Sequence, residues 1–290
     1  NFVWVARLYH CNCEIPNQIN GCTGNKVDDR DAFSGRMQLS FDTSDSSSVR
    51  VGLTGQSAKD GGFGLGELGS LRANPHRINQ DFEGETTRDS FQPSVVYEWG
   101  EGGRSFTSIS AFTTWDVTET SDFDFNVIDG VQRTTKENQD VFYQELRLTE
   151  EGDFDVDKGE GMRWLVGFSA FMSDSERSAV NQFGADAPLI GAAPGVDTST
   201  GGFDDLGLSF FGQASMSPAA GWELTGGLRY DRESAELDKN HTYDTDADGT
   251  FVTDDSFEDD FSATTPMVSA SYRPTDSSQC YAYAAKAFKA

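Results

Sequence analysis

The chain of 290 residues carries 48 acidic against 22 basic side chains, a formal charge of −26, and is 36% hydrophobic. That balance excludes a nucleic-acid partner, because phosphate neutralisation needs Lys and Arg in excess, and it excludes docking on an anionic membrane surface through a basic patch. The hydrophobic fraction falls below the about 45–50%, Gly counted, of a typical soluble domain, and no run of about 18 apolar residues offers a transmembrane helix.

The chain opens mid-pattern at Asn1, without an initiator Met or a secretory signal, which reads as a fragment. FVWVARLY is a possible strand, and CNCEIPNQINGC follows it. RMQLSF then sets Met37, Leu39 and Phe41 on one face, and after the turn DTSDSS the run VRVGLTG sets Val49, Val51 and Leu53 there. In the polar segment 57–88, GLGELG (Gly64 to Gly69) satisfies G-x-G-x-x-G. SLRANPHRINQ follows with Pro75 and no amphipathic period, so a flexible loop is expected rather than a dinucleotide site. FQPSVVYEW aligns Phe91, Pro93, Val95, Tyr97 and Trp99, and GEGGR turns it into SFTSISAFTTWDV. YQELRLT and MRWLVGFSAFM flank EEGDFDVDKGEG. Leu208 to Met216 and Trp222 to Tyr230 alternate on either side of the Pro218–Gly221 break, and TPMVSASY and CYAYAAKAF flank RPTDSSQ.

Side chains of a strand alternate between faces, so these runs are strands with one apolar and one polar face. Ten are expected, with FVWVARLY as a possible eleventh. Short turns (42–47, 100–104, 150–161, 218–221, 273–279) alternate with long polar segments (57–88, 118–138, 173–206, 232–262). This rhythm predicts an all-β, antiparallel transmembrane β-barrel with short periplasmic turns and long external loops. Its apolar face is then buried against outer-membrane lipid, where only a closed ring of strands satisfies the backbone. Tyr97, Trp99, Trp164, Trp222, Tyr272 and Tyr281 beside the short turns, with Trp115 and Tyr230 near the long segments, are the expected aromatic girdles.

Few motifs carry chemistry. DTDADGTFVTDD matches a calcium loop, with Asp244, Asp246, Asp248, Thr250 and Asp255 as ligands and Gly249 at the turn; the alternative is a solvated acidic loop. A structural calcium is the only cofactor that these motifs suggest. Cys11, Cys13 and Cys22 lack zinc spacing, and a loop disulfide from Cys22 to Cys11 or Cys13 is the expectation in an oxidising compartment. His10, His76 and His241 each read as loop residues without a nucleophile motif, so no enzyme is expected. Arg36, Arg50, Glu98, Glu145, Arg147, Arg163, Glu223, Arg229 and Asp231 read as a lumen-facing set whose opposite charges neutralise one another across strands.

QDVFYQELRLT, FFGQASMSPAAGWELTGGLRYDRE and TPMVSASYRPTDSSQCYAYAAKAFKA, in that order, resemble barrel strands of TonB-dependent outer-membrane receptors, and NKVDDRDAFSGRMQLSFDTSDSSSVRV is similar to an earlier hairpin. The resemblance covers residues 24–290 and leaves 1–23 without a counterpart. It implies about half of a 22-stranded barrel in a Gram-negative outer membrane, its plug domain and remaining strands absent. It also implies an importer of a scarce ligand, a ferric siderophore first, driven by the TonB complex through the missing plug segment. A passive diffusion porin and a calcium-binding secreted adhesion module are the alternatives.

Overall fold

The computed structural model describes residues 2–13, 19–25, 27, 29–62, 64–245, 249–275 and 277–287. In chain order the elements are β1 (Phe2–Cys13), β2 (Ile19–Asn20), β3 (Arg30–Ser44), β4 (Ser47–Gly61), α1 (Leu68–Ala73), β5 (Arg77–Ile78), β6 (Glu85–Glu101), β7 (Arg104–Asp122), β8 (Val131–Glu150) and β9 (Met162–Phe183). After a short 3₁₀ turn at Ala187–Ile190 come β10 (Gly195–Met216), β11 (Trp222–Thr245), β12 (Gly249–Thr275) and β13 (Ser278–Ala285). Eleven strands form one sheet in the order β1-β3-β4-β6-β7-β8-β9-β10-β11-β12-β13, while β2 and β5 pair in a separate two-stranded sheet. Every neighbouring pair in the large sheet is antiparallel, so the wall is a meander. FVWVARLY is the eleventh strand, pairing with β3 from Phe2↔Phe41 to Cys13↔Arg30.

The register puts the apolar alternation on one face. Trp4, Leu39, Val51, Val95, Ser110, Gln144, Ala170 and Leu208 stand opposite one another in a single row across eight strands. Among the described residues that face is uncovered: Phe210 is 59% exposed, Leu228 55% and Val268 59%. An unpartnered apolar face of this extent is what hydrocarbon contact requires. Among the described residues the buried apolar side chains are Val27, Ala58, Ile78, Val131 and Ala187, none of them in the middle of the wall.

The short turns fall where the sequence puts them, between Ser44 and Ser47, Glu101 and Arg104, Glu150 and Met162, Met216 and Trp222, and Thr275 and Ser278. The long polar segments differ from expectation. Much of 118–138, 173–206 and 232–262 is ladder rather than loop: β11 runs to Thr245 and β12 resumes at Gly249. The 27 residues of β12 extend roughly 90 Å at about 3.4 Å each, far beyond the 9–11 residues of a tilted crossing. The wall therefore continues as a polar ribbon past the lipid, where backbone pairing persists but no apolar face is needed.

Residues 19–25 and 64–84 build a local fold. Asn20, fully buried, donates through Nδ2 to Gln80 O (2.9 Å) and accepts through Oδ1 from Gln80 N–H (3.2 Å) and Cys22 N–H (3.0 Å). These bonds seat β2 beside β5 as a cap over the outer strand ends. The large sheet ends in two open edges, β1 and β13. Unpaired edge N–H and C=O groups template further pairing. Expressed alone in buffer without detergent, the chain should aggregate; a monodisperse, cooperatively unfolding monomer in size-exclusion chromatography would contradict the barrel assignment.

Candidate functional site

The face opposite the apolar one is charged and locally neutralised. Arg50 Nη2 lies 3.4 Å from Glu98 Oε2, Arg147 Nε 2.8 Å from Glu145 Oε1, Arg163 Nη2 2.6 Å from Glu223 Oε1, and Arg229 Nε 2.7 Å from Asp231 Oδ1. Arg36 shares this face, opposite Thr54. All nine side chains expected to face the lumen do so, and eight of them are paired. These four pairs each neutralise their own part of the wall.

Nearer the external end the inner face changes character. Trp115, Gln139, Ser175, Phe203, Leu237 and Phe257 form one cross-strand row. Trp115 Nε1 donates to Gln139 Oε1 at 2.9 Å, which holds the indole against the wall. The next row outward contains Glu137, Arg177, Gly201, Lys239 and Asp255, with Arg177 Nε 2.9 Å from Glu137 Oε1. Two rows further, Arg133 donates through Nε to Asn181 Oδ1 (2.7 Å), with its guanidinium 3.7 Å from the centre of the Phe123 ring. Trp115, Phe203, Leu237, Arg177, Lys239 and Arg133 line a concavity of about 580 Å³. Phe203, Leu237 and Phe257 face away from the lipid, yet remain substantially exposed. Aromatic faces beside guanidinium and ammonium groups suit a ligand with planar rings and anionic substituents.

The family described as TonB dependent receptor-like, beta-barrel matches residues 23–290. The chain belongs to the TonB-dependent receptor family. No curated protein matches it. Among solved structures, the ferric yersiniabactin uptake receptor FyuA from Yersinia pestis is similar at 14% identity and TM-score 0.75, over 97% of this chain and 41% of that one. The ferric citrate transporter FecA aligns at 12% identity and TM-score 0.62, over 98% and 41%. The siderophore receptor PiuA from Acinetobacter baumannii aligns at 13% and 0.61, over 96% and 44%. At these identities the likeness is one of fold. The chain spans less than half the length of these three.

On the wall of a TonB-dependent receptor, six of the aromatics expected in the girdles stand on the apolar face. Tyr97, Trp99, Trp164, Trp222 and Tyr272 lie outward beside the short turns, with Trp222 and Tyr272 stacked at 4.6 Å, and Tyr230 lies outward opposite Phe210. Two aromatics do not. Trp115 belongs to the inner row described above, and Tyr281 stands opposite Ser271 and thus Glu223, also inward. Strand parity decides the face, whatever the position along the strand.

The receptor's ladder does not assemble the expected calcium loop. Asp244 is opposite Thr250, whose Oγ1 donates to Asp244 Oδ1 at 3.0 Å, whereas Asp255 is opposite Lys239, five ladder positions away. At about 3.4 Å per residue that separation is roughly 17 Å, so Asp255 cannot close a ring on Asp244. Asp246 and Asp248 lie outside the described residues.

Cys22 is an exposed free thiol, so the disulfide expected from it is not formed. Its N–H is held by Asn20 in the cap, whereas Cys11 is carried on β1 opposite Ala32; the side chain of Cys13 lies outside the described residues. GLGELG leads into α1 rather than a flexible loop. Glu67 caps that helix, accepting from Gly69 N–H (2.8 Å) and Ser70 N–H (2.7 Å), which hold its carboxyl below the usual range. A carboxylate thus occupies the position a phosphate would take. His10 and His241 sit on strands rather than in loops and meet Asp31 and Asp197.

Proposed function

We propose that this chain forms about half of the wall of an energy-coupled receptor in a Gram-negative outer membrane, and that the receptor imports a scarce ligand, a ferric siderophore before other cargoes. The observation that carries the reading is the inner patch of Trp115, Phe203, Leu237, Arg177 and Lys239 at the external end of the wall. Exposed aromatics on the lumen face give a receptor that must capture dilute ligand a surface on which to hold it. The work is binding and passage, with no bond made or broken by the wall.

In this reading the ligand settles on the patch and on a plug that fills the lumen. The TonB complex, pulling on the plug, then supplies the energy for release inward. Iron is favoured by what the similar structures are named for: ferric yersiniabactin, ferric citrate and siderophore uptake. The test is uptake of radiolabelled iron by a strain lacking the receptor and complemented with its full-length gene. Ferric hydroxamates, catecholates and citrate would be supplied in turn, with and without TonB. TonB-dependent uptake of one chelate supports the reading. Passage of small uncharged solutes that persists without TonB would replace it with a passive porin.

A further inference from the structure

At the outer edge of the concavity four strands are joined through their inner-face side chains. Arg133 on β8 stands opposite Asn181 on β9, and Asn181 opposite Asp197 on β10. His241 on β11 is opposite Ser199, two residues along β10 from Asp197. Arg133 Nε donates to Asn181 Oδ1 (2.7 Å), Asn181 Nδ2 donates to Asp197 Oδ2 (2.9 Å), and Asp197 Oδ1 meets His241 Nε2. All four residues are half-buried.

The bonds run in one direction, and Asp197 sets it. A side-chain amide can turn either its oxygen or its nitrogen to a neighbour, whereas an ionised carboxylate only accepts. The Asn181 nitrogen therefore goes to Asp197, and its oxygen is left for Arg133. Arg133 is fixed a second time across its face, its guanidinium carbon 3.7 Å from the centre of the Phe123 ring. With Nε and the face taken up, the edge that remains is the pair of Nη groups, which have no partner among the described residues. Arg133 lines the concavity together with Ala179 and Ser199. The row between Arg133 and Arg177 holds only Thr135, Ala179 and Ser199 on β8 to β10. These small side chains leave a slot roughly 14 Å long between the two arginine rows, at about 3.4 Å per residue.

We propose that Arg133 is a carboxylate clamp, aimed into the slot by the positioning residues Asn181, Asp197 and His241, and that the receptor selects iron chelates bearing a free carboxylate. The inference rests on the reading of this chain as part of a chelate receptor and narrows its ligand class. A guanidinium edge takes a carboxylate through two parallel N–H···O bonds, a geometry that an ammonium such as that of Lys239 does not offer. Hydroxamate and catecholate oxygens are spent on the iron they bind, whereas a pendant carboxylate keeps both of its own for the protein.

One substitution separates aim from charge by its sign. Asp197 is an acid at the edge of a concavity lined by Arg133, Arg177 and Lys239. Acting through charge alone, it repels an anionic ligand, and its removal tightens binding. Acting through Asn181, it does the opposite. Without Asp197 the amide is free to turn its nitrogen toward Arg133, two donors then face each other, and the clamp loses its aim.

Equilibrium binding of radiolabelled ferric citrate, ferric enterobactin and ferrichrome to the full-length receptor in detergent tests this. The first carries free carboxylate, the second is an anionic catecholate without it, and the third is a neutral hydroxamate. Ferric citrate should bind tightest, by about tenfold or more. Arg133→Ala should weaken it roughly thirtyfold, the loss of a charge-assisted pair, and leave the other two unchanged. Arg133→Lys, which keeps the charge without the fork, should weaken it about tenfold and serves as the second variant should the first fail to fold. Asn181→Ala and Asp197→Ala should each weaken ferric citrate about tenfold. The clamp is overturned by a catecholate or hydroxamate bound as tightly as ferric citrate, by unchanged affinity for ferric citrate in Arg133→Ala, or by tighter binding in Asp197→Ala. In each of those cases the chelate-receptor reading stands. Binding of none of the three chelates overturns that reading together with the clamp.

Discussion

Replacing Phe210 by Arg should destabilise the inserted receptor by about 2–4 kcal/mol, the cost of a cation on the lipid face near the bilayer midplane. Phe210 lies on the outward face of β10, midway between Leu206 and Met216, 59% exposed and packed against Phe168 with ring centres 5.0 Å apart. Three residues on, Gln213 occupies the inner face opposite Leu165 and Gly227. Arg at Gln213 meets water, and stability should stay within about 0.5 kcal/mol of the parent. Urea titration of the receptor in lipid vesicles, followed by tryptophan emission, measures both. Equal losses at the two positions would show that the register assigned the faces wrongly, and the lipid contact would go with it.

That pair also marks what was legible in the sequence. Within the lipid, one face must be apolar, so the constraint writes itself as a period of two, and Met37 to Phe41, Trp164 to Met172 and Trp222 to Tyr230 could be read directly as strands. Beyond the lipid the constraint lapses. Lys239 opposite Asp255, and Asn240 donating to Asp254 at 2.6 Å, are ladder neighbours held by backbone pairing that leaves no periodic trace. A polar ribbon therefore reads as a loop. The calcium pattern failed for the same reason, since a local string fixes spacing along the chain while the ladder fixes distance in space. Trp115 was placed by its nearness to a long segment, although counting from Phe112 and Thr114 would have put it inward.

Truncating Trp115 to Ala should weaken ligand binding by about 2 kcal/mol, roughly thirtyfold, the usual cost of removing an anchoring aromatic from a desolvated patch. The indole is a rigid surface held by Gln139, and its row continues through Phe203 and Leu237 on the same inner face. Arg177→Ala should cost a similar amount for an anionic chelate and little for a neutral one. The loss also frees Glu137, whose carboxylate then faces the ligand unpaired. The two contributions should be less than additive, because both residues line one concavity and share one ligand. Equilibrium binding of the transported chelate to whole cells, compared with the paired-wall variant Arg163→Ala as a control remote from the patch, separates a lost contact from a damaged barrel. Unchanged affinity in Trp115→Ala, with normal amounts of receptor in the membrane, would move the ligand off this wall and onto the plug or the opposite half of the barrel.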